Sequence, residues 1–145
     1  MAKGSFYQHW PARRDYLVAL HRAFHDELAD AVAAAMEGLD AGLPRLKAGM
    51  EAFLDGCLAS SATKALLVQA RTDADLGPEV EARNRAFAEL AIEDLAVIGW
   101  DPPGPVAHLF IAMVAELALA ELPAGCPRGD LRDATLRLVA ARLDA

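Results

Sequence analysis

The residues that could do chemistry are few. His21 and His25 stand four apart, so on a helix their rings share a face, with Asp26 beside them. Two histidines can begin a metal site, but no third or fourth ligand stands at a usable spacing, and the expectation is no metal and no cofactor. Glu93 and Asp94 are adjacent, so on a helix they diverge, and neither stands out from ordinary solvated carboxylates. No glycine-rich loop follows a strand and no GxSxG appears, so no catalytic residue is assigned and the chain is read as a non-enzyme. Cys57 and Cys126 lie far apart with no CxxC, which fits reduced thiols better than a disulfide.

The other informative residues are at the front, in Lys3-Gly4-Ser5-Phe6-Tyr7-Gln8-His9-Trp10-Pro11. Phe6 and Trp10 are four apart and can bury together on a short helix, leaving Lys3, Tyr7 and Gln8 to face elsewhere. Pro11 is expected to stop that helix, and a new one restarts with Arg13 and Arg14 in its first turn. Cations there oppose the helix dipole by up to ~1 kcal/mol, so a nearby anion would be welcome. The first fourteen residues hold three basic side chains and no acid, while the whole chain has 21 acidic residues and a net charge of −7. A basic tip on an acidic body suits phosphate contact at the tip alone.

The run KGSFYQHWPARRDYL resembles the recognition helix and following linker helix of tetracycline-repressor-type (TetR) transcriptional regulators. The resemblance places Lys3, Gly4, Ser5, Tyr7, Gln8 and His9 where that family meets DNA, and Arg13 where it binds a phosphate at the head of the long helix. It implies an all-α fold with a TetR-like ligand-binding and dimerisation body at 13–145, behind a partial helix-turn-helix at 1–12. The two helices that precede the recognition helix in that family have no counterpart ahead of Lys3. The expected function is a ligand-responsive regulator, most simply a repressor, acting on a DNA operator where the reading head is whole. The alternative is a dimeric small-molecule-binding or protein-interaction module that does not bind DNA.

Composition agrees with a helical domain: 145 residues suffice for one core, and apolar residues make up 54% with only 6% aromatic. No basic-then-apolar leader is apparent, and a cytoplasmic location is expected. Val106 to Leu122 is the most apolar stretch. It is short for a bilayer core needing ~20 residues and carries Glu116 and Glu121, so no membrane partner is expected.

The elements that must position these residues follow from apolar spacing. Leu17, Leu20, Phe24, Leu28, Ala31, Val32 and Met36 predict one long helix from Arg13 to near Gly38. A second helix runs from Pro44 to about Ser60, and a shorter one from there to about Asp73. Asp75–Pro78 is a turn, a long helix spans Pro78 to Gly99, and 101–105 is a stiff proline loop. Val106–Leu122 is apolar nearly all round and must be covered on both sides. With a last helix from Asp130 to Leu143, it is expected to form a four-helix homodimer interface, over about 105–122 and 130–143; the competing assignment is the central helix of a monomer. Between the helices a small apolar effector is expected to bind near Met50, Phe53, Cys57, Phe87 and Trp100, with His21, Gln69 and His108 as polar anchors. Met36, Phe110 and Asn84 are further candidates, and each residue also fits a plain core role.

Overall fold

A computed structural model describes residues 3–60 and 76–144, with side chains from Arg13 onward. Gln69 and the helix expected to end near Asp73 lie outside the described residues. The fold is all-α. Among the described residues five helices, α1 (Lys3–Met36), α2 (Leu43–Ala59), α3 (Gly77–Ile98), α4 (Pro103–Ala124) and α5 (Gly129–Ala140), are followed by a short 3₁₀ turn, Ala141–Asp144.

Helix α1 is continuous through Pro11, where the sequence predicted a stop. A proline removes one i→i−4 hydrogen bond, but its fixed φ of about −65° is itself helical, so the backbone passes through at the loss of that bond. At 34 residues the helix is roughly 50 Å long. Its buried stripe is His21, Phe24, His25, Leu28 and Val32; the two histidines belong to it, and Ala31 points outward.

Helix α2 is the hub and touches the other four helices. It starts where expected, with Pro44 in its first turn, where a missing N–H costs nothing. Two glycines seven residues apart let it lie close to α1. A Cβ on Gly49 would sit 2.9 Å from Met36 Sδ, and one on Gly56 2.6 Å from Leu28 Cδ2, so α1 and α2 run antiparallel at backbone-close range. Leu46, Met50, Leu54 and Cys57 line the inner side of α2. Fully burying a side chain such as Leu54 contributes about 1.5–3 kcal/mol.

Helices α3 and α4 form an antiparallel hairpin. Gly99, at φ 112°, ends α3 in the left-handed conformation and donates its N–H to the carbonyls of Leu95 and Ala96. The expected loop at 101–105 is shorter than predicted, because Pro103 and Pro105 are accommodated in the first turn of α4. With Pro123 and Ala124 also carried inside its last turn, helix α4 is 22 residues rather than the 17 of Val106–Leu122, which removes the length argument against a membrane span. It is the one described helix long and apolar enough to cross a bilayer, with a mean hydropathy of 1.7 over its best 18-residue window and a third of that window buried. Its two acids remain, and Glu121 is fully buried against an arginine.

Candidate functional site

Three buried features could carry function. The first is an apolar cavity where α1, α2, α3 and α4 meet. Met36, Met50, Phe53, Phe87 and Phe110 supply most of its wall, and Asn84 its polar edge. About 50 Å³ is open to water-sized molecules, the room of a few waters at ~10–15 Å³ each, and well under the ~300 Å³ or more of a drug-sized site. Two methionines in the wall make it adaptable, since an unbranched thioether side chain repacks at low cost. Phe53 and Phe87 meet edge to face at 5.2 Å between centroids.

The second feature lies behind Phe87. His21 and His25 are 1% and 6% exposed, with ring centroids 4.3 Å apart and tilted by 48°. His25 also packs against Phe24 at 5.3 Å and Phe87 at 6.2 Å. Among the described residues nothing hydrogen-bonds to Nδ1 or Nε2 of His21 or to Nδ1 of His25. Burial, reinforced by the neighbouring His21 and Arg83 charges, lowers His25 to about 4. Burial likewise lowers His21, opposed by Glu79. Both imidazoles are therefore neutral at neutral pH.

Two ion pairs tie α1 to α3 across this spot. Arg22 pairs with Glu79, and Arg83 Nη1 lies 2.6 Å from Asp26 Oδ1. The hydrogen bond from Arg22 holds Glu79 below the ordinary carboxylate range. Asp26, next to His25 in the sequence, is thus engaged by Arg83. No group of three or more His, Cys, Asp or Glu among the described residues could hold a metal ion.

No family model, curated protein or solved structure matches this chain.

The third feature is a pair of buried carboxylates that the sequence did not single out. Asp94 is fully buried; its Oδ1 accepts from Gly42 N at 2.9 Å and Arg45 Nε at 2.7 Å, while Arg45 Nη2 reaches Glu93 at 2.7 Å. Of this adjacent pair Glu93 stays solvent-exposed, as expected, while Asp94 is enclosed, and one arginine from α2 reaches both. Gly42 is the N-cap of α2 and has no capping side chain, so Asp94 supplies the anion that this helix end favours. Glu121 is the counterpart at the other end, held by Arg132, which also reaches Asp55 on α2. The signal for either was an acid inside an apolar helical run with an arginine elsewhere to meet it, which a single sequence cannot pair.

Of the expected ligand residues, Met50, Phe53 and Phe87 come together at the cavity, joined by Met36, Asn84 and Phe110. His21, Cys57, Trp100 and His108 do not line it. Cys57 is packed in the core, where burial and then the charge of Glu121 push its thiol up to about 12. Trp100 donates from Nε1 to the Val139 carbonyl at 2.8 Å, with Arg142 over its ring, and so fastens the end of α3 to the end of α5. His108 is exposed beside a shallow groove between α3 and α4. Lys3, Gly4, Ser5, Tyr7, Gln8 and His9 all fall within α1 by their backbone, and their side chains lie outside the description. Arg13 is on the exposed first described turn. Cys126 is a free, exposed thiol in the α4–α5 connection.

Proposed function

We propose that this chain is the effector-binding and self-pairing body of a ligand-responsive transcriptional regulator of the tetracycline-repressor type. The observation that carries the proposal is that the cavity has α1 as one wall, and α1 runs without a break from Met36 back to Lys3. A molecule that enlarges the cavity pushes on Val32 and Met36, and a helix transmits that push along its length. The residues at its far end are those whose pattern resembles a recognition helix. To matter, the coupling needs only ~1–3 kcal/mol of differential affinity between two positions of α1. The acidic body and basic front favour phosphate contact at one end only. A cytoplasmic, non-enzymatic role goes with this reading, as does self-pairing through α4 and α5.

The test is electrophoretic mobility shift of the 145-residue chain on DNA from upstream of its own gene, at stated salt. Retardation that Tyr7→Ala abolishes and that weakens as salt rises supports the reading. Absence of a shift at every salt concentration removes operator binding by this chain. The cavity, which uses nothing before Val32, would then stand as the site of a small-molecule-binding module.

A further inference from the structure

The buried histidines are costly as they stand. Leaving a polar atom unpaired inside a protein is unfavourable, and native folds rarely tolerate it without a use. Here three ring nitrogens have no partner among the described residues, and the His25 ring lies 6.2 Å, centroid to centroid, from Phe87, which also lines the cavity. A rotamer change at Phe87 would open the cavity toward His25, and such changes are common when ligands bind.

We propose that His21 and His25 are the polar end of the effector site, receiving the hydroxyl of a small phenol-class molecule whose ring fills the cavity beyond Phe87. This rests on reading the cavity as the effector site. Two features select a neutral hydroxyl over an anion. Each neutral imidazole offers one donor and one acceptor, which a hydroxyl satisfies from both sides. The flanking arginines are already neutralised, Arg22 by Glu79 and Arg83 by Asp26, so among the described residues beside the pair no spare cation awaits a carboxylate. At about 50 Å³ the cavity is smaller than a six-membered ring needs, so the methionines Met36 and Met50 must yield for the ring to enter. The location suits a switch, since α1 leans only lightly on α3 and these two histidines lie in that seam.

The experiment compares p-cresol, toluene and benzoate on the full chain at pH 7.5, by calorimetry and by ¹⁵N spectra of the histidine rings. p-Cresol is expected to bind at least about tenfold more tightly than toluene and to move both histidine signals, while toluene leaves them in place. His25→Gln, which keeps a donor and an acceptor, retains part of the preference, and His25→Leu binds cresol no more tightly than it binds toluene. Equal affinity for cresol and toluene overturns the histidine anchor and leaves the cavity reading intact. Tighter binding of benzoate than of cresol overturns the neutral-hydroxyl assignment. Failure of all three to bind at millimolar concentration overturns the cavity reading, and the anchor with it.

Discussion

Arg132 meets Glu121 at two points inside the molecule, Nε to Oε1 at 2.7 Å and Nη2 to Oε2 at 2.9 Å, with the carboxylate fully buried. Oε1 also accepts from the Arg128 backbone N–H at 2.8 Å, and Arg132 Nη1 donates to Asp55 at 2.9 Å. One arginine therefore joins α5 to α4 and α2. Removing one partner strands the other charge away from water, which costs about 3–5 kcal/mol, whereas replacing both with apolar groups of similar size is often neutral. Glu121→Leu alone and Arg132→Met alone should each lower the free energy of unfolding by about that amount in urea titration. The double variant should recover most of it. A double variant as weak as either single one would show that the pair contributes more than mutual compensation.

The histidine pair makes stability depend on pH. His25 titrates near 6.5 when unfolded and about 4 when folded, so between those values the unfolded chain binds more protons. Its contribution is complete above pH 6.5, is lost as pH falls toward 4, and changes no further below that. The slope is at most about 1.4 kcal/mol per pH unit for one group, and His21 acts in the same direction. The charges facing the pair are Arg83, Asp26, Glu79 and Arg22; of these Glu79 has a lowered pKa and weakens the fold only below its ordinary 4.5. Denaturation midpoints measured from pH 7.5 to 4 should fall steadily in the parent and more shallowly in His25→Phe. Parallel curves would place the acid sensitivity elsewhere.

Much of this architecture could be read from spacing. The α2 start at Pro44, the α3 end at Gly99 and the stripe through Phe24, Leu28 and Val32 follow from proline, glycine and 3.6-residue periodicity, which act locally. The stop expected at Pro11 does not appear, because one lost hydrogen bond does not end a helix whose neighbours continue it. Met50, Phe53 and Phe87 were legible as a cavity wall because soft and aromatic residues recur on three inward faces. The burial of His21, His25, Asp94 and Glu121 was not, since whether a polar side chain is enclosed depends on which distant helix covers it.

The α1–α2 contact separates two similar glycines. An added methyl at Gly49 meets Met36, a flexible side chain beside the cavity that can yield into open space. At Gly56 it meets Leu28, which is 3% exposed and packed on all sides. Alanine gains up to ~1 kcal/mol over glycine within a helix, against ~1–3 kcal/mol for overpacking a core. Gly49→Ala should therefore be near neutral in thermal unfolding but reduce toluene binding, since it narrows the cavity. Gly56→Ala should lower stability by roughly 1 kcal/mol and leave the cavity unchanged. Equal loss from both would mean that Met36 is no freer than Leu28.

The outer surface of α4 and α5 carries large apolar side chains in the open. Leu109 and Leu138 are each 61% exposed, and α4 buries only a third of a stretch apolar enough for a membrane. Covering this surface with the same surface of a second copy gives a four-helix contact, in which each leucine contributes twice. At about 1.5–3 kcal/mol for full burial of one leucine, charging both should weaken a dimer at least a hundredfold. Light scattering at micromolar concentration should give twice 15.4 kDa for the parent and a monomer for Leu109→Lys/Leu138→Lys, with the helical circular dichroism unchanged. A parent that already runs at 15.4 kDa in plain buffer would show that α4 does not pair with itself. Recovery of the parent only with detergent or vesicles would assign the same face to lipid.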